Sequence, residues 1–565
     1  MGRIKGHMIY RVLATEMLPL RERQVRDPDE DTHLSLVKNL LNNGPMFFSY
    51  TFDLTNSFQR QADNYDPLGP LWQRADDRFF WNRFVQSELI RFRLGQGNPR
   101  TTTGPQRGVD PFILPVMFGM MRITNTSVKG TPLTFILITR RSRHRAGTRY
   151  FSRGLDEQGH ASNFNETEQT VILNDDSSVG MTTYSGEGGL GNAKQLGRET
   201  QVLSYVQTRG SVPVYWAEVN TLKYTPTLQI RGVESAVHAA QLHFDEQIKL
   251  YGENWLVNLV NQKGREQRVK EAYEQMVKLL VDDPVQDTQA DRNSREKFTL
   301  IDSASKKHEF DKLHYVYFDF HNETKGLKWH RAELLLDQLK DGLVRGGYFH
   351  AVDAPSGRMD VIKKQTAVVR TNCMDCLDRT NVVQSMLGRF TLSRMLVDQA
   401  ILQPGQKAQE DEAFEHLFRN VWADNADVVS KSYSGTGALK TDFTRTGERT
   451  RAGALQDLQN SITRYLRNNF ADGPRQDGFD AFLGAYIPDP TGLGSAYLFA
   501  DTRPVSIQAV PYVLAGCLFF IFISLFTRRM PDATVWPLRI FNVICVLVAA
   551  YAARFMLTHG ALYVS

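Results

Sequence analysis

Five residues separate Cys373 from Arg379 in the segment QTAVVRTNCMDCLDRTNVVQSMLGRF. A thiolate and a guanidinium at that spacing suit phosphoryl transfer. The sulfur attacks phosphorus, while the guanidinium grips two phosphoryl oxygens and offsets the charge of the transferring group. A β-branched run ends at Arg370, and Thr380-Asn381 can cap a helix whose apolar face is Val383, Met386, Leu387 and Phe390. The loop Cys373–Arg379 is therefore expected between a strand and a helix N-terminus. Its amides would point inward and the helix dipole would favour an anion, so Met374, Cys376, Leu377 and Thr380 are expected around a bound phosphate. The same field should lower the pKa of Cys373. A bare Cys-x5-Arg carries little weight alone; the strand–loop–helix setting strengthens it.

Cys376 completes a CxxC with Cys373. A zinc site needs two more ligands, yet the remaining cysteines, Cys517 and Cys545, lie in apolar C-terminal stretches. A thioredoxin-like pair would need an aromatic-Cys-Gly-Pro context that is absent. A regulatory disulfide shielding the nucleophile stays open. No metal and no cofactor is expected.

The elements that must position this loop are legible in outline. Strand-like runs dominate the first part: Phe47–Thr55, Phe112–Ile123, Leu133–Thr139 and Leu203–Val219. After about residue 234 helices and strands alternate, with helices at Ala236–Tyr251, Val269–Val281, Trp329–Val344 and Asn381–Leu402, and strands at Leu313–Phe320 and Thr366–Thr371. That order predicts a mostly β N-terminal domain packed on an α/β cysteine-phosphatase-like catalytic domain, an α+β / α/β chain overall. Asp175–Arg198 reads as a polar surface loop. Its GEGGLG (Gly186, Gly188, Gly191) lacks the strand and helix that a dinucleotide site requires. Asp282–Lys297 reads as a charged linker.

A chain of 565 residues exceeds one hydrophobic core. Its formal net charge of +5 is too small for its length to mark a nucleic-acid binder. Four cysteines and no apolar leader fit a reducing compartment. Two stretches near the C-terminus, Ala509–Phe526 and Trp536–Leu557, are apolar over about the 20 residues needed to cross a bilayer. The boundaries expected are a mostly β subdomain at 1–110, a catalytic domain at 111–473, a linker at 474–504 and membrane helices at 505–527 and 536–557. A lumenal turn would occupy 528–535, with a cytosolic tail at 558–565. Arg528 and Arg529 would draw the turn to the cytosol; the leaderless, disulfide-free body outweighs them and is placed in the cytosol instead.

The string NCMDCLDRTN resembles the signature of the Sac family of phosphoinositide phosphatases. So do TRRSRHRAGTRYFSRG, SNFNETEQ, TRGSVPVYW, VNLVNQKG, YVYFDFH and WADNADVVSKSYSGTGALKTDFTRTG, which together span about residues 45–475. With the C-terminal hairpin, the likeness is greatest to the fungal Sac1-type members of the endoplasmic reticulum and Golgi membranes. The resemblance implies hydrolysis of phosphatidylinositol monophosphates, chiefly the 4-phosphate and also the 3-phosphate. It implies Cys373 as nucleophile and Arg379 as phosphate binder. For the general acid it points to Asp378, beside Arg379 as in the related myotubularin loop, with Asp375 as the other candidate; the alternative for either is a structural role in shaping the loop. Sac1-type chains usually begin a few tens of residues ahead of HMIYRV, so an incomplete N-terminal β domain is expected.

Lys431, Lys440, Arg445, Arg449 and Arg451 follow the helical region and suit a groove facing anionic lipid, the alternative being a solvated face. Arg209 is a candidate substrate contact. Tyr215 and Trp216 are expected in the core, and His321 as a hydrogen-bonded structural histidine. Two other readings compete: a phosphatase for phosphotyrosine or soluble inositol phosphates, and a non-catalytic phosphoinositide-binding membrane scaffold. Partner proteins are not legible.

Overall fold

The computed structural model describes residues 2–18, 28–96, 104–175, 199–281, 309–324, 329–354, 357–447, 450–487, 499, 501–526 and 534–564. The strands in chain order are β1 (Gly2–Ile4), β2 (His7–Arg11), β3 (Met46–Phe48), β4 (Met117–Val128), β5 (Thr131–Arg141), β6 (Asn165–Leu173), β7 (Gln201–Arg209), β8 (Trp216–Val219), β9 (Thr227–Ile230), β10 (Glu253–Asn258), β11 (Leu313–Tyr317), β12 (Phe349–Asp353), β13 (Met359–Lys363) and β14 (Ala367–Asn372). The longer helices are α1 (Pro28–Asn43), α2 (Val237–Tyr251), α3 (Gln267–Val281), α4 (Glu333–Gly346), α5 (Asp378–Asp398), α6 (Glu412–Ser434), α7 (Arg451–Phe470), α8 (Asp472–Leu483), α9 (Val505–Phe526) and α10 (Val535–Thr558).

One mixed sheet organises the chain. From β1 to β7 it is an antiparallel meander; at β7 it turns parallel, with the order β7-β14-β10-β11. The strand-rich N-terminal part and the later alternation are both present, and they share this sheet. β3 pairs with β4 across residue 110, so no break between sheets falls there. Within residues 2–96 the strands are short and α1 intervenes.

β14 sits in the middle, parallel to β10 on one side and β7 on the other. A strand covered on both faces must be apolar throughout or satisfy its polar side chains internally. AVVRTN does the second in part at its end: Asn372 donates to Asn258 Oδ1 at 2.9 Å, and Arg370 donates through Nη2 to the Ser211 carbonyl at 2.8 Å. α5 lies against β7 and β14 with Leu387, Leu392 and Met395 inward, and its Gln384 donates to the Thr208 carbonyl at 2.9 Å. α6 crosses α5 where Gly388 leaves no room for a side chain, since a Cβ would meet Trp422 at 3.1 Å.

Several boundaries differ from expectation. The strand expected over Phe47–Thr55 stops at Phe48, because Ser49 and Asp53 turn the chain by capturing backbone amides of Phe52 and Thr55. Leu203–Val219 is broken after Arg209. The tether expected from Pro474 starts later. Pro474 sits in the first turn of α8, where a missing N–H costs nothing, and Phe479 and Phe482 are buried with Trp81 and Phe118. Residues 186–191, with their GEGGLG, and Asp282–Lys297 lie outside the described residues.

α9 and α10, with 22 and 24 residues, are long and apolar enough to span a bilayer. They form a hairpin: Phe520 and Phe541 meet with ring centroids 5.6 Å apart, and Tyr563 returns to donate to the Ile507 carbonyl at 3.1 Å. The two outer ends therefore lie on one side. The turn that joins them, residues 527–533, is outside the described residues.

β6 opens on six consecutive buried polar residues, Asn165 to Thr170, and its two carboxylates are paired. Glu166 takes a bidentate ion pair from Arg60 at 2.7 and 2.8 Å and a contact from Arg140 at 3.0 Å, and it accepts from the Tyr251 hydroxyl. Burial alone would raise its pKa, but Arg60, Arg140 and Arg78 outweigh burial and hold it at about 2. Removing one partner of such a cluster strands the others in a dry interior, so Glu166→Ala should cost about 3–5 kcal/mol in unfolding experiments. The depressed pKa fixes the sign of the pH effect. The stabilisation is present above the ordinary carboxylate value and fades as pH falls towards about 2, so thermal unfolding should be less acid-sensitive in the variant.

Candidate active site

The loop between β14 and α5 folds back on itself. Cys376 adopts a left-handed backbone, φ 52°, which turns its N–H onto the Cys373 sulfur at 3.0 Å. The Cys373 N–H points in return to the Cys376 sulfur at 3.3 Å, and the Thr380 hydroxyl donates to Cys373 at 3.4 Å. Sγ of Cys373 thus collects donors from the first turn of α5 and from its own loop. Burial opposes ionisation of this thiol. Its hydrogen bond with Cys376, the Arg379 charge and the Thr380 hydroxyl prevail and bring its pKa down to about 6. Cys376 moves the other way: burial and the adjacent Cys373 push it well up, and its thiol donates to the Gly210 carbonyl at 2.9 Å. The sequence pair is one thiolate and one thiol.

Two carboxylates flank the loop with opposite fates. Asp375 is partly buried, and desolvation favours its neutral form, but Arg149 and Arg153 overrule that. Arg149 contacts it at 3.1 and 3.0 Å and Arg153 at 2.6 Å, holding the carboxyl well below its usual range. Among the described residues Asp378 accepts one N–H, that of Leu439, at 2.9 Å. Burial dominates there, and despite Arg464 its pKa is raised. Asp375 is therefore a fixed anion and Asp378 a carboxyl poised to hold a proton.

Arg379 is not free. It donates to Asn261 Oδ1 at 2.9 Å and to the Leu259 carbonyl at 3.0 Å, and forms a two-pronged pair with Glu266, both prongs at 3.1 Å. Phosphate oxygens that take the Nη1–Nη2 face of its fork displace Glu266. Cys373, Asp375, Leu377, Asp378 and Arg379 all line a cavity of about 260 Å³, closed by Asn261 and His321 on one side and Leu439, Lys440 and Thr444 on the other.

The remaining expected residues fall in three groups. Met374, Cys376 and Thr380 are buried behind the loop, and Met374 uses its carbonyl to accept from Arg153 at 2.9 Å. Lys440 reaches the cavity wall with a left-handed backbone, φ 60°. Arg209 does not reach it. Arg209 is fully buried beneath the two cysteines with no hydrogen-bond partner on any guanidinium nitrogen, and burial lowers its pKa to about 10 although Cys376 and Cys373 oppose the shift. Lys431 is exposed at the last turn of α6, away from the cavity lining. Arg445 pairs with Asp424 at 2.8 Å, Arg451 is exposed at the start of α7, and Arg449 lies outside the described residues. His321, expected as a hydrogen-bonded structural residue, instead presents an exposed ring at the cavity edge. Trp216 fills the core and Tyr215 packs against it.

Sequence reasoning did not single out Arg149, Arg153, Glu266 or Arg464. The two arginines repeat four residues apart in TRRSRHRAGTRYFSRG, a cue that they share one partner. Glu266 carries no local cue; only the parallel pairing of β10 with β14 brings its turn beside Arg379.

A family model described as the SacI homology domain matches residues 1–325 of the chain. Across its whole length the chain is 41% identical to phosphatidylinositol-3-phosphatase SAC1 of Saccharomyces cerevisiae, covering 81% of that protein. It is equally similar, 41%, to an uncharacterized protein of Schizosaccharomyces pombe, of which it covers 83%. Over 86% of its length it is 38% identical to phosphatidylinositol-3-phosphatase SAC1 of Drosophila melanogaster, covering 71% of that protein. The loop Cys373–Arg379 lies beyond the stretch that the family model matches but inside the full-length similarity to the two yeast proteins.

The lowered thiol pKa has a direct readout. Alkylation of Cys373 by iodoacetamide, followed by peptide mapping, should reach half its maximal rate near pH 6 rather than near the ordinary cysteine value of 9.0. Arg379→Met removes one of the charges responsible and should shift that midpoint upward. An unchanged profile near 9 would refute the assignment of Cys373 as the ionised member of the pair.

Proposed function

The chain belongs to the family defined by the SacI homology domain, and from that premise we propose that it hydrolyses phosphatidylinositol monophosphates through a phosphocysteine on Cys373. It is a membrane-bound phosphoinositide phosphatase, and the observation that carries the mechanism is the pairing of a pKa-lowered Cys373 with a pKa-raised Asp378 on one cavity wall. Such a split of neighbouring titratable groups assigns nucleophile and acid.

In the first step the substrate phosphate enters the cavity and takes the place of the Glu266 carboxylate on Arg379. The Cys373 thiolate attacks phosphorus as the bond from phosphorus to the inositol oxygen breaks, and Asp378 delivers its proton to that oxygen. Charge on the equatorial oxygens is met by Arg379, by loop amides and by the N-terminus of α5. In the second step water attacks the phosphocysteine, Asp378 takes the proton back, the S–P bond breaks and inorganic phosphate leaves. Asp375, clamped by Arg149 and Arg153, keeps the loop in shape and carries no proton in this scheme.

The 4-phosphate is proposed as the main substrate and the 3-phosphate as a lesser one. The enzyme is proposed to reside in endoplasmic reticulum and Golgi membranes with its body in the cytosol. All four cysteines being free supports a reducing surround for that body.

Phosphate release from vesicles bearing each monophosphate, with a chelator present, tests the reading. Cys373→Ser should abolish release. Asp378→Asn should lower kcat by about 10²–10³-fold, the usual worth of a positioned acid, with a much smaller loss on an aryl phosphate whose leaving group needs no proton. Equal losses on both substrates would remove Asp378 from the acid role, and activity lost on chelation would sink the metal-free scheme.

A further inference from the structure

α7 is an amphipathic helix mounted the wrong way round for a soluble protein. Its inward face is polar. Arg464 donates to Thr436 Oγ1 and the Gly437 carbonyl, each at 2.9 Å, and Asn468 donates to the Ser434 carbonyl at 3.0 Å. Its outward face is a continuous apolar stripe: Leu455, Leu458, Ile462, Leu466 and Phe470 recur at helical spacing, and each is at least 50% exposed. Surface helices normally bury the apolar stripe and wet the polar one. A contiguous apolar face left outside marks a contact surface.

Three observations specify what covers it. The first is the position of the membrane anchor. Gly560, just past α10, packs so closely on Thr221 that a Cβ would lie 2.1 Å from its carbonyl oxygen. The same short turn holds α7 from the other side, since Tyr465 donates to the Leu222 carbonyl at 2.6 Å and Asn220 donates to that of Asn468 at 3.2 Å. The stripe therefore sits beside the point where the chain enters the bilayer. The second is charge. Arg451 and Arg467 are exposed on α7 itself, as suits a headgroup layer of anionic lipid. The third is the cavity. The Lys440 N–H donates to Asp457 of α7 at 3.0 Å while Lys440 lines the cavity, and the Arg464 charge reaches both Asp375 and Asp378.

We infer that α7 is an interfacial helix that sinks Leu455, Leu458, Ile462, Leu466 and Phe470 into the headgroup–acyl boundary of the bilayer holding α9 and α10. An in-plane helix of this kind buries its apolar face to a depth of about 5–10 Å. Through Asp457 and Arg464 that contact sets the height of the catalytic cavity over the lipid surface. The inference extends the phosphatase reading by giving the substrate's membrane a docking element, and its activity readout rests on that reading.

The full chain is reconstituted into phosphatidylcholine–phosphatidylserine vesicles and compared with its Leu458→Ser/Ile462→Ser double variant. The substrates are vesicle-borne phosphatidylinositol 4-phosphate and a water-soluble dibutanoyl analogue. The variant should lose about tenfold on the vesicle-borne lipid at low surface density and stay within about twofold on the soluble one, because only surface engagement is weakened. Equal rates on both, or equal losses on both, would overturn the proposal. A second arm uses the unaltered chain and needs no activity: vesicles carrying a diazirine-acyl phospholipid are photolysed and the lipid adducts mapped. Adducts at 455–470 as well as at 505–558 support the interfacial helix. Adducts confined to 505–558 refute it and leave a protein as the occupant of the stripe. An unaltered chain that cleaves neither substrate yet takes adducts at 455–470 would reject the phosphatase reading and keep this one.

Discussion

Asp375 is held at the cavity wall by two guanidinium groups, and much of the molecule is arranged to bring them to it. Arg149 and Arg153 come from the connection between β5 and β6. Arg153 also binds Glu218 of β8, which pairs with Arg265 at 3.0 Å in the turn before α3. This row of alternating charges ties the antiparallel half of the sheet to the parallel half across the phosphate loop. Buried pairs of this kind add little net stability, because desolvation offsets attraction, but breaking one is costly. Their effect is to fix a conformation. The loop holds its tight turn at Cys376, φ 52°, because Asp375 on one side of it is pinned and Asn381 on the other donates to the Trp422 carbonyl at 3.0 Å. The convergence of donors on Cys373, and hence its thiolate, follows from that fixed turn.

The charge on Arg379 is balanced in the same economical way. With no phosphate bound, an unpaired guanidinium at the cavity wall would face an incomplete hydration shell, and Glu266 supplies the missing anion. A dianionic phosphate offers more charge in the same two-pronged geometry, so the exchange of Glu266 for substrate trades like for better. Glu266 also accepts from the Asn261 N–H at 2.8 Å, which keeps the carboxylate beside the fork.

The parts of this arrangement that could be read from the sequence are those set by local chemistry. The strand–loop–helix around Cys373 was legible because β-branched residues, a capping Thr-Asn pair and an apolar helical face follow one another without a gap. The structure sets β14 at Ala367–Asn372 and α5 at Asp378–Asp398, the helix beginning three residues before the expected cap because Asp378 and Arg379 enter its first turn. The two membrane helices were legible from length and apolarity alone. What stayed hidden is set by pairing between distant strands. Glu166 and Glu168 look like surface residues in NETEQ, yet lie in the dry centre of the sheet because Arg60 and Arg140 arrive from elsewhere. Arg209, in TRGSVPVYW, was a candidate substrate contact. Its strand instead runs beneath the cysteines and buries it. Pro474 looked like the start of a tether because the stretch to Pro504 is rich in Gly, Pro and Asp, yet α8 closes over Trp81.

Substrate in a bilayer imposes a geometric demand that a soluble substrate does not. The phosphate projects from the membrane by the length of an inositol ring, so the catalytic sulfur must be held near the surface and facing it. A single tie to the bilayer leaves that height undefined, and the returning chain supplies a second constraint. Because α9 and α10 form a closed hairpin, their outer ends come back together at Arg503 and Leu562, and Gly560 rests on Thr221 of the body. The body is thereby held to the membrane through its own surface as well as through a tether. Thr221 lies between α7 and the strand pair β8–β9, and β8 carries the Glu218 that anchors Arg153. Contacts thus run without a break from the returning end of α10 through Thr221 and the β8–β9 turn to Glu218, Arg153 and Asp375 of the phosphate loop.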